Sequence, residues 1–170
     1  QVSSPTWNTL STAGAIRANH WQHLCLVWRG NLVDAYLNGN LVGSATAKFE
    51  YDRDSNGDPI GFGIGARYLT NGTYFQGKLA DVAVWQETLS PVHVRRLAAG
   101  ESPITIHAVD AEHVQPLCWA LDDGAGLFAT NSVLGGSTAA LVNAGGAAWD
   151  TDVPEALVGR SSGSLRFNTA

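Results

Sequence analysis

Two oxygen-rich stretches are candidates for binding a hard cation. Residues 52–58 read DRDSNGD, with oxygen-bearing side chains at alternate positions and a glycine that permits a sharp turn. Such alternation suits Ca²⁺, which prefers oxygen ligands. The twelfth position is Gly63 instead of a bidentate Glu, so a solvated acidic loop is the alternative. The candidate calcium ligands of this loop are Asp52, Asp54, Asn56 and Asp58.

The second oxygen-rich stretch is the pair Asp122 and Asp123, with Asn131 nearby in the chain. These side chains offer oxygen ligands for calcium. The alternative is that Asp122 caps backbone groups in the tight turn that leads to Gly124, because short acidic side chains commonly accept hydrogen bonds from turn backbone. This structural role is the favoured interpretation.

Aromatic residues flank a short polar loop and form the best candidate for sugar contact. Tyr68, Tyr74 and Phe75 surround Asn71-Gly72-Thr73. Exposed aromatic rings stack on sugar rings, and Asn71 adds a polar group, so Tyr68, Asn71 and Tyr74 are the predicted carbohydrate contacts. A hydrophobic plug beneath the loop is the alternative. The same Asn-Gly-Thr is an N-glycosylation sequence, meaningful in a secreted eukaryotic protein.

The cysteines and histidines give weaker signals. Cys25 and Cys118 each lie between apolar neighbours, which predicts burial, and they permit one disulfide or two free thiols. His20 and His23 are three residues apart. On a strand they would point to opposite faces, so they are not expected to chelate one metal.

Composition excludes several classes of function. The chain has 170 residues, 15% of them charged, with a net charge of −5, which argues against nucleic acid as a partner. No apolar run approaches the roughly 18 residues needed to cross a bilayer. The absence of Met predicts a processed chain or a fragment.

Glycine-rich turns between short apolar runs predict an all-β protein. Ser90 as N-cap, Pro91 in the first turn and Gly100 as terminator predict one short helix. The fold class that follows is a two-sheet jelly roll or β-sandwich. The predicted strands are 24–28, 32–37, 41–47, 60–66, 78–86, 117–121, 138–142 and 164–167.

Residues 20–99 resemble the laminin-G-like branch of the concanavalin-A-like lectin/glucanase superfamily. The residues that carry the resemblance are WQHLCLVWRG (21–30), AYLNG (35–39), IG at 60 and at 64, FQGKLADVAVW (75–85) and LSP (89–91). The resemblance implies a concanavalin-like sandwich, and it makes His23 a structural residue. In relatives calcium often binds at the sandwich rim.

The order of the motifs departs from that family. Segments similar to its opening strands, WALDDGAG (119–126) and the region from Trp149 to Phe167, follow the segment that closes the domain. We therefore expect a closing part at 1–100, a linker at 101–116 and an opening part at 117–170. The two parts could belong to one permuted sandwich, to consecutive domains, or to neighbouring subunits that complete each other. Unmatched middle strands favour contact between subunits, because open sheet edges are avoided.

The resemblance implies a non-catalytic binding or adhesion module for glycan or protein, at an extracellular, cell or virion surface. Glycosidases of this superfold carry a Glu-x-Asp-x-x-Glu motif, and no Glu here has that spacing, so a hydrolase remnant is disfavoured. The alternative function is a structural subunit that self-assembles into a polymer by exchange of half-domains. Calcium is the one cofactor considered, and no membrane span is expected.

Overall fold

The computed structural model describes residues 15–46, 56, 63–65, 75–109, 116–133, 135–140 and 147–167. The described residues form mainly short antiparallel strands, as the sequence predicts, with two short helices. The chain divides into two compact units: Gln1–Asp52 with Thr88–Ala99, and Arg53–Glu87 with Gly100–Ala170.

The first unit contains a three-stranded meander of β1 (Leu24–Arg29), β2 (Leu32–Leu37) and β3 (Asn40–Thr46). The predicted turns are confirmed, with positive φ at Gly30 (64°), Asn38 (48°) and Gly39 (77°). Asn and Gly tolerate this region, so the strands reverse tightly. Register places Leu24 opposite Leu37, and the backbones of His23 and Asn38 continue the pairing beyond the strands.

Apolar residues at every position of 24–28 predict a strand that is buried on both faces, and this prediction is wrong. Leu24 and Leu26 are 60% and 42% exposed, and of this strand only Val27 is buried. Leu24 and Leu26 point to the same face, which nothing covers fully at this strand, and β1 lies at the edge of the described strands with β2 in the middle. Accordingly, β2 carries the buried residues, with Val33 only 1% exposed.

A buried carboxylate sits on β2. Asp34 is 3% exposed, accepts a hydrogen bond from Ser44 Oγ at 2.6 Å, and forms an ion pair with Arg29. The Ser44 hydrogen bond lowers the pKa of Asp34, and Arg29 adds to this, while burial opposes it. The charge is therefore satisfied within the sheet.

The predicted helix is confirmed as α1 (Pro91–Ala98). Ser90 Oγ accepts a hydrogen bond from the His93 N–H at 3.2 Å, and Pro91 occupies the first turn. Val94 and Leu97 are buried, which anchors the helix within the first unit. A Cβ on Gly39 would lie 3.2 Å from Ala98 Cβ, so the glycine allows the β2–β3 turn to approach the helix closely.

The second unit is built from short strands: β4 (Gly77–Leu79), β5 (Val82–Val84), β6 (Leu117–Trp119), β7 (Phe128–Ala129), β8 (Ala139–Ala140), β9 (Ala147–Asp150) and β10 (Ser164–Phe167). They pair antiparallel in the orders β4-β10-β9, β5-β6 and β7-β8. A 3₁₀ turn at Glu155–Leu157 and helix α2 (Pro103–Val109) complete the unit. The helix occupies part of the segment that the sequence suggested as a linker.

The strand predicted at 78–86 is broken into β4 and β5. Asp81 adopts φ 58°, and its N–H donates to the Ala120 carbonyl at 3.0 Å, which turns the chain between two sheets. Both strands pair within the chain with residues beyond 117, β4 with β10 and β5 with β6. Whether copies of the chain exchange these parts stays a prediction.

The core of the second unit gathers around Trp119, Leu121, Ala129 and Leu165, all 6% exposed or less. Four tryptophans on or beside predicted strands are expected in a core because large apolar side chains are usually buried there. Trp119 is buried, whereas Trp21, Trp28 and Trp85 are half-buried.

The two cysteines are free thiols. Cys118 is buried as predicted, but Cys25 is only half-buried because it lies on the edge strand β1. Of the two alternatives that the sequence left open, a disulfide or two free thiols, the structure has the free thiols. Burial raises the pKa of each thiol to about 11.

Candidate functional site

The predicted calcium loop falls largely outside the described residues. Asp52, Asp54 and Asp58 are not among them, and Asn56 lies in an exposed turn. In the described part of the chain, no group of three His, Cys, Asp or Glu side chains is placed to hold a metal ion. Calcium at residues 52–58 therefore stays a prediction.

Asp122 and Asp123 make structural hydrogen bonds. Both carboxylate oxygens of Asp123 accept from the Thr130 N–H at 3.2 Å. Asp122 accepts from Ser161 Oγ at 3.3 Å, and Asn131 is buried with its oxygen accepting from the Val133 N–H at 2.9 Å. The three side chains thus serve different backbone and hydroxyl groups. Asp122 bonds to Ser161 and Ser162 and not to the turn that leads to Gly124, so the cap predicted for Asp122 is not formed; calcium at this cluster stays a prediction.

The predicted sugar contacts Tyr68, Asn71 and Tyr74 also lie outside the described residues. Their neighbour Phe75 is 45% exposed and packs edge-on against Phe167, with ring centroids 6.4 Å apart. A Cβ on Gly65 would lie 2.5 Å from the Phe167 ring, and a Cβ on Gly77 would lie 2.9 Å from Phe75. The two glycines therefore make room for this aromatic pair.

A polar groove of about 270 Å³ lies in the first unit, where the chain enters β1 and where β2 turns into β3. The β1–β2 register brings residues 37–38 beside residues 15–22. We call this feature the entry groove. Its lining residues are Ala15, Arg17, His20, Trp21, Gln22, Leu37 and Asn38.

Gln22 shapes the entry groove by holding the segment that precedes β1. Its Oε1 accepts from the Arg17 N–H at 2.6 Å, and its Nε2 donates to the Ala15 carbonyl at 3.2 Å. His20 Nδ1 donates to the Ala18 carbonyl at 2.9 Å, which leaves Nε2 of a neutral ring as an acceptor. Asn19 has φ 60°, so the segment bends sharply just before His20. Both ends of the Gln22 amide are thus used structurally.

Three other side chains line the groove with donors that no described group accepts: the Arg17 guanidinium, Trp21 Nε1 and Asn38 Nδ2. Asn38 Oδ1 already accepts from the His23 N–H at 2.9 Å, which orients the amide. Arg17 and Asn38 are exposed and Trp21 is half-buried. The groove can therefore offer hydrogen bonds and an indole surface to a small oxygen-rich molecule.

No sequence motif indicates this site. Trp21, His23 and Asn38 belong to motifs that indicate the fold, and Arg17 precedes any recognisable pattern. The hairpin motif could have indicated the site, because pairing of Leu24 with Leu37 brings the residues before β1 beside the β2–β3 turn.

The charged side chains of the second unit pair among themselves. Arg160 forms a bidentate ion pair with Asp81, in which Nη2 donates to Oδ2 at 2.5 Å and Nη1 to Oδ1 at 3.3 Å. Its Nε donates to the Gly100 carbonyl at 3.0 Å. Lys78 lies 3.1 Å from Asp150 and 2.9 Å from Asp152. The hydrogen bonds that Lys78 Nζ donates to Asp152 and Asp150 raise the pKa of Lys78. These groups tie strands and turns together.

Antiparallel sheets of short strands, joined in the first unit by tight turns, place the described part of the chain in the all-β class. A laminin-G-like family model, described as concanavalin A-like lectin/glucanases superfamily, matches residues 1–95. The chain belongs to this superfamily, as its motifs indicated.

Other comparisons are more distant. An S-layer domain-containing protein from Clostridium thermocellum (residues 221–444) is similar in structure, with a TM-score of 0.41 and 21% identity. The similarity covers 52% of this chain and 43% of that one, less than half its length. No curated protein matches this chain significantly. The described helices include none with the length and apolar character to cross a membrane.

Proposed function

We propose that this protein is a non-catalytic binding module that recognises glycans at an extracellular, cell or particle surface. Domains of its superfamily commonly bind ligands, which supports the binding role and the surface location. The observation that carries the proposal is the entry groove, with its Trp21 indole and unshared donors from Arg17 and Asn38.

The carboxylates support a non-catalytic role. Glycoside hydrolysis requires two carboxyl groups facing each other across the substrate. Each described Asp side chain instead makes a hydrogen bond or an ion pair within the fold. These residues are Asp34, Asp81, Asp122, Asp123, Asp150 and Asp152.

Titration of the labelled protein with methyl glycosides, followed by amide NMR, tests the proposal. We expect shifts confined to residues 15–23 and 37–39. Asn38→Asp removes the free donor but keeps an oxygen for the His23 N–H, and Asp also tolerates positive φ. This variant should lose binding with an unchanged melting temperature.

Asn31→Asp is the matched control, because Asn31 is exposed in the β1–β2 turn and does not line the groove. It should bind as the parent does. Shifts that cluster elsewhere, or equal loss in both variants, would remove the groove from the proposal. Binding of a peptide but of no glycoside would replace glycan with a protein ligand.

A second candidate function is self-association through the exposed edge of β1. Leu24 and Leu26 lie on the same side of that strand and are 60% and 42% exposed. A second copy whose β1 pairs along this edge would place its own Leu24 and Leu26 beside them as cross-strand neighbours and so lower their exposure. Light scattering should then show an oligomer that Leu24→Thr with Leu26→Thr converts to monomer. Leu117→Thr in the second unit, where Leu117 is 46% exposed, is the control; a monomeric parent contradicts this candidate.

A further inference from the structure

We propose that copies of this chain associate head to tail, with helix α1 of one copy against the 3₁₀ turn at Glu155–Leu157 of the next. The contacting side chains are Val92 and Arg95 on the helix, and Glu155 and Val158 at the turn. This contact depends on neither the entry groove nor the edge of β1, because it joins two other surfaces and is driven by charge.

The two units of the chain differ in charge. The first unit carries five Lys and Arg residues and three Asp and Glu residues, whereas the second carries five and twelve. Their formal net charges are therefore +2 and −7, which together give the −5 of the chain. Opposite charges attract the first unit of one copy to the second unit of another, and like charges disfavour contact between identical units. The charge distribution therefore favours a head-to-tail contact.

Arg95 is the charged residue of α1 that is available to a partner. It is exposed, and no described carboxylate forms an ion pair with it. A Cβ on Gly39 would lie 3.3 Å from Arg95 Cγ, so the stem of this side chain lies beside the β2–β3 turn. Other described cations are held in ion pairs with carboxylates, namely Arg29, Lys78, Arg160 and Arg166.

The 3₁₀ turn presents a carboxylate beside an apolar side chain. Glu155 is exposed, and its carboxylate makes no hydrogen bond or ion pair with the residues that the structure describes. Val158 is 70% exposed, and its N–H donates to the Glu155 carbonyl at 3.2 Å. This hydrogen bond closes one turn, and residues three apart in a 3₁₀ turn lie on the same side.

Helix α1 presents the matching pair with the opposite charge. Val92 is 53% exposed, and it lies three residues before Arg95 on the same helix face. A second copy can therefore place Glu155 against Arg95 and Val158 against Val92 in one contact. An exposed ion pair alone contributes little, and burial of the two valines adds a contribution that salt does not screen.

Sedimentation velocity over a range of concentrations tests the proposal. The parent should form oligomers that grow with concentration, because a contact between two different surfaces continues from copy to copy. Arg95→Glu and Glu155→Arg, each alone, bring like charges together and should each weaken association about tenfold. Salt at 1 M should also weaken association of the parent, because it shortens the Debye length to about 3 Å.

An equimolar mixture of the two variants should associate as the parent does. In the mixture, the helix of Arg95→Glu meets the turn of Glu155→Arg, and the two remaining surfaces are those of the parent. The control is Arg166→Glu, which changes the net charge as Arg95→Glu does but lies in the second unit, and it should leave association intact. Because the substituted side chains are exposed, each variant should melt as the parent does.

Three outcomes would overturn the proposal. The first is a parent that stays monomeric at every concentration. The second is a mixture that associates no better than either variant alone. The third is association that both charge variants retain but that Leu24→Thr with Leu26→Thr abolishes, which would assign the contact to the edge of β1.

Discussion

Among the described glycines, Gly100 is the position where an added methyl group meets the shortest contact, so we expect its substitution to be strongly destabilising. Gly100 has φ 90°, and a Cβ there would lie 1.9 Å from the Ala156 carbonyl oxygen. Its own carbonyl accepts a hydrogen bond from Arg160 Nε at 3.0 Å. Gly100→Ala must therefore adopt a disfavoured backbone conformation and also displace the 3₁₀ turn at Glu155–Leu157.

Gly159 separates these two costs. It has φ 85°, and nothing lies within 4 Å of an added Cβ, so Gly159→Ala meets only the backbone penalty. That penalty is about 1–2 kcal/mol. Gly100→Ala adds about 1–3 kcal/mol for overpacking and about 1 kcal/mol for the weakened Arg160 hydrogen bond. We therefore expect a total of roughly 3–6 kcal/mol, a large part of a typical domain stability.

Urea unfolding of the two variants and the parent, followed by tryptophan fluorescence and circular dichroism, measures the difference. The informative quantity is the free energy of unfolding of Gly100→Ala minus that of Gly159→Ala. If Gly100→Ala is no less stable than Gly159→Ala, the close approach of residues 100 and 156 is refuted.

Other tests address charge, thiols and calcium. Asp34 has a folded-state pKa below its reference value of 3.8. Its stabilising effect is therefore present above pH 3.8 and is lost as the pH falls through the folded-state pKa. Asp34→Asn should remove the fall in melting temperature that this carboxylate causes at acidic pH, and it should lower the free energy of unfolding at neutral pH by about 1–3 kcal/mol. Cys118 should resist thiol reagents until the protein unfolds, whereas Cys25, being more exposed, should react first; equal rates in the native protein would contradict the burial of Cys118. Calcium should raise the melting temperature through residues 52–58, and Asp52→Asn with Asp54→Asn should abolish that rise; no rise in the parent would end the calcium hypothesis.

The sequence predicted those elements whose signals are local. The Asn38-Gly39 turn and the Ser90-Pro91 helix start follow from the backbone preferences of a few adjacent residues, and both are confirmed. The burial of a strand, in contrast, is not determined by adjacent residues alone. Leu24 and Leu26 alternate as in a buried strand, yet their exposure depends on what packs against that face of the sheet, which residues distant in sequence decide.

The break in the strand at 78–86 shows the same limit. Asp81 was placed inside a continuous apolar run, but a hydrogen bond to Ala120, distant in sequence, accompanies its left-handed conformation. The entry groove could not be predicted from local sequence either. Its residues Arg17 and Asn38 are distant in sequence and line the same groove only because β1 pairs with β2.

The pairing of β4 with β10 has a consequence for folding during synthesis. Gly77–Leu79 cannot form its ladder until Ser164–Phe167 has left the ribosome. Strands of the first unit pair with their immediate neighbours, so they are complete much earlier. Contacts between residues distant in sequence slow folding, because the intervening loop must be closed first. We therefore expect that the first unit of the nascent chain folds first. Until residues 117–167 are synthesised, apolar side chains that pack against Trp119 and Leu165 in the folded protein, such as Leu79 and Val82, stay exposed. Chaperones can bind such exposed apolar surface during this interval.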